Sequence, residues 1–228
     1  MVVNLLIGLP GDRPGGLSLS ILYFVAAGGG ALLAGYVYGA LAVALPRASL
    51  LFQGMTAVLR GIPLLLLVFL LAHVPGLSLA TAGFLALLVY SFAYVGEVLR
   101  SFLAAYPASS AEQGRLMGLS LLQDWMRLRV PWTLWRAFPA LLTHWVSLLK
   151  DTGALVVLGI AELTTIAKIL GEVATTLEDW ALVLVSASAL YLAATMALIK
   201  GIPLLMGMAV GIIRRDSKNE AHGARAWG

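Results

Sequence analysis

Lys150 and Asp151 lie side by side in an otherwise apolar stretch, followed by Thr152 and Gly153 and preceded at four-residue steps by Thr143 and Ser147. Steps of four place Thr143, Ser147 and Asp151 on one helical face. Consecutive residues point about 100° apart around a helix, so Lys150 and Asp151 cannot face each other and at least one must look elsewhere for a partner. A second charge is Arg60, within Leu59-Arg60-Gly61-Ile62-Pro63. A cation at mid-span costs at least about 2.5 kcal/mol unless it is paired or solvated. A third set is Glu97, with Arg100 three residues on, in a stretch where Tyr90, Tyr94, Glu97 and Ser101 share one face. Charges of both signs within apolar segments fit a site for the charged ends of a small solute. They fit equally a set of ion pairs that only joins helices, and on the residues alone both readings stand.

No constellation of catalytic type accompanies them. Cysteine is absent, which removes thiol chemistry, disulfides and cysteine metal sites. His73, His144 and His222 lie far apart and no His-Glu-x-x-His occurs, so neither a metal site nor a catalytic set is expected and a membrane enzyme is disfavoured. There is no Gly-x-x-x-x-Gly-Lys-[Ser/Thr] loop to cradle a phosphate. Uphill movement of a solute would therefore draw its energy from a partner. The net charge of +4 comes from basic residues scattered among loops, not from a patch interleaved with aromatics, so nucleic acid is not an expected partner.

The elements that must hold these residues are membrane helices. Of 228 residues, 61% are hydrophobic and 11% charged, against about 25% charged in soluble domains. At about 20 apolar residues per span, five or six spans are the ceiling. The fold expected is all-α and integral to the membrane, with about five transmembrane helices near Leu17–Leu45, Leu50–Val74, Leu77–Ala105, Phe138–Ala161 and Trp180–Ile213. Residues 1–16 read as a short external tail rather than a signal peptide, residues 17–213 as the membrane domain, and residues 214–228 as a cytoplasmic tail. In the first span, Gly35 and Gly39 would let a neighbouring helix approach closely, or simply face lipid. Pro63 is expected to kink the second span and open its backbone to a cavity, unless Arg60 snorkels to the interface. His73-Val74-Pro75-Gly76 reads as an external turn, with His73 a solvated loop residue, and residues 162–179 as an amphipathic external segment. Lys200-Gly201-Ile202-Pro203 echoes residues 60–63, but nothing else repeats with it.

The longest polar interruption runs from Tyr106 to Pro131. Ser109 with Glu112, and Ser120 with Gln123, both fit capping boxes, so two short helices joined near Gly118 are expected. Arg115, Arg127, Arg129 and Arg136 outweigh Glu112 and Asp124, which puts this helix pair, between the third and fourth spans, on the cytoplasmic side. An external N-terminus and a cytoplasmic C-terminus, where Arg214 and Arg215 lie, are consistent with five spans. Trp132 and Trp135 mark the return into the membrane.

Glu112-Gln113-Gly114, three residues, Gly118, nine residues and Leu128-Arg129-Val130-Pro131 resemble the EAA signature of ABC-importer permeases, usually Glu-Ala-Ala, three residues, Gly, nine residues, Ile, any residue, Leu, Pro. Leu59-Arg60-Gly61-Ile62-Pro63-Leu64-Leu65, Ala93-Tyr94-Val95-Gly96-Glu97-Val98-Leu99-Arg100 and Ser147-Leu148-Leu149-Lys150-Asp151-Thr152 resemble stretches of the polar amino-acid subfamily, in the same order. Gln113-Gly114 departs from Ala-Ala: Gly114 keeps the smallness that close docking needs and Gln113 does not.

The resemblance implies a permease subunit of a bacterial inner-membrane importer that itself binds no cofactor. Two cytoplasmic ATPase subunits would hydrolyse Mg-ATP and dock on the coupling segment, residues 107–131, through Glu112, Gln113, Gly114, Gly118, Leu119, Ser120 and Pro131. A second permease chain, identical or related, and an extracytoplasmic solute-binding protein would complete the assembly. The solute, a polar amino acid, would meet Arg60, Glu97, Lys150, Asp151 and Thr152 near the midplane. Charge matching sets Asp151 or Glu97 against an α-ammonium, and Arg60 or Lys150 against an α-carboxylate. Cations at least equal anions in this set, which leans the side chain towards the glutamate, aspartate or glutamine type. The competing readings are an ion-gradient-driven carrier or channel for small zwitterions and a membrane subunit with no solute path.

Overall fold

The computed structural model describes residues 1–11 and 14–225; the side chains of Pro46, Ala48 and residues 205–225 lie outside the description. Among the described residues, all regular structure is helical apart from one isolated bridge, between Gly16 and Glu162. Four helices among the described residues are long and apolar enough to cross a membrane, or five if one bent pair is counted as a single span. Residues 1–187 form one compact unit and residues 188–228 another.

In the first unit, α1 (Val2–Ile7) precedes α2 (Gly16–Ala44), the first span. The expected external tail thus contains a helix, whose Leu5 is fully buried. Gly16 has φ +56, and a side chain there would collide with the carbonyl of Leu5. Its N–H donates to the Ala161 carbonyl at 2.8 Å. Next to that bond the fully buried Glu162 caps α9 (Leu163–Glu172), accepting from the N–H groups of Thr164 at 2.9 Å and Thr165 at 2.8 Å and from the Ser20 hydroxyl at 3.3 Å. The segment expected to be merely amphipathic is therefore anchored to the start of α2.

The second predicted span is broken rather than kinked. α3 (Pro46–Gly61) and α4 (Leu64–Ala72) meet at 92°. Pro63 lacks an N–H and drives the preceding Ile62 out of the helical region, to φ −84 and ψ 120, so the helix ends there and restarts beyond the proline. After α4 the chain turns at His73–Gly76, where Gly76 takes φ +81 and His73 Nδ1 lies 2.7 Å from the Phe69 carbonyl.

α5 (Leu79–Ala104) is the central element, and α2 meets it backbone to backbone. A Cβ on Gly35 would come within 3.0 Å of the Gly96 nitrogen, and one on Gly39 within 3.0 Å of the Arg100 nitrogen. Small residues allow this approach, and dispersion between the closely packed backbones holds it in a solvent that supplies no hydrophobic drive between helices. Ala31 on α2 and Val95 and Leu99 on α5 then form one core with Ala137 and Leu141 of α8 (Val130–Asp151). Beyond α8 the chain tightens into a 3₁₀ segment, Thr152–Leu158, that ends at the left-handed Gly159.

α10 (Leu177–Arg225) carries the remaining span, Leu177–Leu204, with Pro203 inside the helix. The basic run Arg214–Lys218 falls on its backbone; those side chains, with Asp12, Arg13 and residues 226–228, lie outside the described residues.

Replacing Gly35 by Val should destabilise the membrane domain by about 1–3 kcal/mol, because neither backbone can retreat. Gly29→Ala, with no neighbour within 4 Å, should leave stability unchanged or slightly raised. Thermal unfolding in detergent checks both.

Candidate functional site

α5 carries a polar column. At one end Arg100 donates to Glu97 from Nε at 3.0 Å and from Nη2 at 2.5 Å, with the two side chains only 18% and 20% exposed. Two charge-assisted bonds neutralise Glu97 within its own helix. Thr56 of α3 is buried nearby, its hydroxyl 3.3 Å from that of Tyr38, whose ring covers Gly96 beside Glu97. Arg60, on the same helix as Thr56, is exposed on this chain and makes no ion pair with Glu97 among the described residues.

At the other end of the column Tyr90 faces α8, its ring centroid 6.2 Å from that of His144. Asp151 is half-buried, and its Oδ2 is one of four buried side-chain atoms among the described residues with no hydrogen-bond partner. Thr152, next to it, is fully buried and donates its hydroxyl to the Leu149 carbonyl at 2.7 Å.

The polar face expected on α8 divides in two. Thr143, Ser147 and Lys150 are exposed on this chain, whereas Asp151 turns partly inward. Its companion on the inner side is His144, seven residues earlier, which sequence reasoning passed over. His144 is buried, with Nε2 2.9 Å from the Ser91 hydroxyl and its ring stacked on Tyr94 at 4.4 Å between centroids. The spacing of 144 to Asp151, two helical turns, was the available signal.

The handle forms as two short helices, α6 (Ala108–Leu116) and α7 (Leu121–Asp124), joined through Gly118 at φ +72. One of the two expected capping boxes is present: the Ser120 hydroxyl accepts from the Gln123 N–H at 3.3 Å, and the Gln123 side chain accepts from the Ser120 N–H at 2.9 Å. The other is not. α6 starts after Pro107 with no side-chain cap, which leaves Ser109 inside the first turn, where its hydroxyl cannot take the capping position.

α7 runs into a π-helical turn, Trp125–Arg129, and then into α8. Pro131 sits in the first turn of α8, and its missing N–H and ring clash with the preceding turn account for the wider winding there. Across this turn Arg129 Nε donates to Asp124 Oδ2 at 2.6 Å. Burial first, and the nearby Asp124 second, raise the Tyr106 phenol above its ordinary value, with Arg129 opposing.

Gly114 is buried. A Cβ there would lie 2.8 Å from Asp124 Oδ1 and 3.2 Å from Leu128 Cδ1, so the glycine makes room inside the handle. Glu112, Gln113 and Ser120 are exposed, Leu119 is half-buried and Pro131 is exposed. Gln113 also borders a cavity of about 250 Å³ with Tyr106, Met117, Arg127, Leu128 and Trp132. The crest of the pair is apolar and open: Leu116 is 82% exposed and Leu121 75%, with Met117, Leu122 and Met126 beside them.

No family model matches the chain. It is 32% identical over 142 residues to the probable glutamine ABC transporter permease protein GlnP of Bacillus subtilis, a match covering 60% of this chain and 65% of that one. The arginine ABC transporter permease protein ArtQ of Escherichia coli is 33% identical over 115 residues, 50% of this chain and 47% of the relative. The nopaline transport system permease protein NocQ of Agrobacterium fabrum is 31% identical over 129 residues, 47% of this chain and 53% of the relative. The chain thus spans about half to two thirds of the length of these relatives. Its fold is similar to that of a chain in the crystal structure of an amino acid ABC transporter with histidines, at a TM-score of 0.67 and 24% identity, covering 82% of this chain and 89% of that one. A chain of the MetNI methionine ABC transporter in an inward-facing conformation matches with the same TM-score at 17% identity, covering 82% of this chain and 93% of that one.

Ala in place of Gly in an exposed helix gains about 0.5–1 kcal/mol. At Gly114 the contact with Asp124 should reverse the sign, making Gly114→Ala destabilising by about 1–3 kcal/mol. In an Asp124→Ala background the penalty should disappear, and a double-mutant cycle of unfolding free energies checks the coupling.

Proposed function

We propose that the chain is a polar amino-acid ABC-transporter permease, the membrane-spanning subunit of an ATP-driven importer. It is a multi-pass protein of the bacterial inner membrane and a non-catalytic transporter component. In this reading the N-terminus is external, the C-terminus cytoplasmic, and residues 107–131 form the coupling segment, within a membrane domain of residues 17–213 and ahead of a tail of residues 214–228. Two cytoplasmic ATPase subunits dock there and use Mg-ATP. A second permease chain, identical or related, and an external solute-binding protein complete the assembly. Closure of the ATPase pair rocks the spans between outward-facing and inward-facing states.

The observation that carries the reading is the open apolar crest of the handle. Leu116, Met117, Leu121 and Leu122 project from a short helix pair flanked by Arg115 and Arg127. An apolar patch of this kind marks an interface. A solute channel or gradient-driven carrier has no use for such a handle. Paired broken helices in corresponding halves would mark a carrier, whereas Lys200–Pro203, the echo of the α3–α4 break, lies within α10.

The exposed stripe of Thr143, Ser147 and Lys150 supports a second permease chain, since it lies on a membrane-spanning helix and is unsuited to lipid. The solute path runs between that stripe and its counterpart. Asp151, with one free carboxylate oxygen, takes the α-ammonium, and Lys150 or Arg60 takes the α-carboxylate. Thr152 shapes the floor beside Asp151. Glu97, already held by Arg100, must exchange that partner to meet a cation, which favours a neutral or acidic side chain of the glutamine, glutamate or aspartate type over a basic one.

Co-expression with an ATPase subunit of a polar amino-acid importer, reconstitution in liposomes and uptake of labelled glutamine, glutamate and arginine test the proposal. ATP-dependent uptake is expected, and Gly118→Trp should abolish it together with ATPase co-purification, because no side chain is at ease at φ +72. Asp151→Ala and Lys150→Ala should each lower uptake by about tenfold or more while assembly persists. Uptake that continues without ATP and collapses with the membrane potential would sink the importer reading.

A further inference from the structure

Arg129 is gripped from several sides at the joint between handle and membrane. Its Nε donates to Asp124 at 2.6 Å, and its guanidinium carbon lies 5.1 Å from the ring centroids of both Tyr106 and Trp125. Tyr106 stands between α5 and α6 and meets Trp132 of α8 edge-on at 5.3 Å. Trp125 meets Tyr36 of α2 edge-on at 6.4 Å. Asp124 in turn faces Gly114 of α6. One side chain therefore connects α6, α7 and the feet of α2, α5 and α8.

The place of this grip in the chain matters. The only covalent route from α7 to α8 is the π-helical turn Trp125–Arg129, a winding with poorer hydrogen bonding than an α-helix. Pressed from one end, such a turn bends before it transmits. Arg129 closes it, since Asp124 stands just before the turn and Arg129 is its last residue. A planar guanidinium can present its faces to rings while donating in its plane to a carboxylate, which an ammonium cannot do.

We infer that Arg129 is the positioning residue that makes the handle and the foot of α8 move as one body, with Asp124, Tyr106 and Trp125 as its clamp. The inference rests on the importer reading, because only a docked ATPase pushes on the handle. Arg129 touches neither solute nor nucleotide; it sets how much of the ATPase stroke reaches α8 and α2. Loss of the clamp leaves docking and hydrolysis in place and lets the π turn absorb the stroke.

The experiment uses the full chain with its co-expressed ATPase subunits in liposomes, and reads ATP hydrolysis and labelled glutamine and glutamate uptake in the same vesicles. The deciding quantity is solute moved per ATP hydrolysed, which a merely structural residue would not alter. For Arg129→Met, ATPase co-purification and hydrolysis should stay within about twofold of wild type while solute per ATP falls about tenfold or more. Arg129→Lys, which retains the ion pair and loses the stacking, should fall between the two. Asp124→Asn, nearly isosteric, should shift the ratio in the same direction and decides the matter if Arg129→Met does not accumulate. A ratio unchanged in Arg129→Met, or in Asp124→Asn should that variant have to serve, overturns the clamp and leaves the importer standing. A wild-type chain that neither retains an ATPase nor moves solute on ATP overturns both.

Discussion

Inside a bilayer a polar group has no water to turn to, so each one must find a partner in the protein or face a path that supplies one. Glu97 and Arg100 meet this condition within three residues of the same helix. His144 meets it through Ser91 and Tyr94, and Glu162 through a ring of donors at the start of α9. Asp151 keeps an oxygen without a partner, and Thr143, Ser147 and Lys150 stand open on the span that carries it. Asp151 and this open stripe are groups that a solute and a second chain could satisfy, while among the described residues the buried hydroxyls of Tyr36 and Thr133 are also without a partner.

That arrangement depends on how near α2 and α5 can come. With Gly35 and Gly39 against the backbone of Gly96 and Arg100, α2 lies so close that the face of α5 beneath it is closed. The polar side chains of α5 are consequently turned towards α3 and α8. Tyr38 spreads over Gly96 and lies within 3.3 Å of the Thr56 hydroxyl, which ties α3 and hence Arg60 to the same corner. The break before Pro63 then frees α4 to lie across α5 instead of continuing α3, so that Leu67 and Val68 join the core with Leu87 and Leu148.

The sequence discloses what is local and hides what depends on register. The apolar spans, the site though not the extent of the Pro63 bend, the turn at Gly76, the Ser120–Gln123 box and the Glu97–Arg100 pair are all written within a few residues and were legible there. Ser91 and His144 are 53 residues apart and Ser20 and Glu162 142 apart, and their meeting is decided by how α5 packs on α8 and how α2 receives α9. The Asp124–Arg129 pair was hidden for another reason. Five residues along an α-helix point about 140° apart, so the pair forms only where the winding widens. Ser109 and Glu112 misled in the opposite sense, because spacing marks a capping box only if the helix starts where the box needs it to, and Pro107 starts it two residues early.

The handle obeys a different solvent from the spans. Helix α6 has almost no apolar face of its own, with Gly114 its only buried residue, and α7 is a single turn. Neither would hold its place by packing alone, since helices this short are marginal in water. They are held by polar and aromatic contacts: the Ser120–Gln123 box, the Arg129–Asp124 bond, and the rings of Tyr106 and Trp125 on either side of Arg129. Because these inner contacts use the polar side chains, the large apolar ones, Leu116, Met117, Leu121 and Leu122, are left to point outward. A helix pair that folds by its polar side and displays its apolar side has inverted the usual division of a surface element. An open apolar crest of this kind suits cover by another protein, which is what the importer reading asks of it.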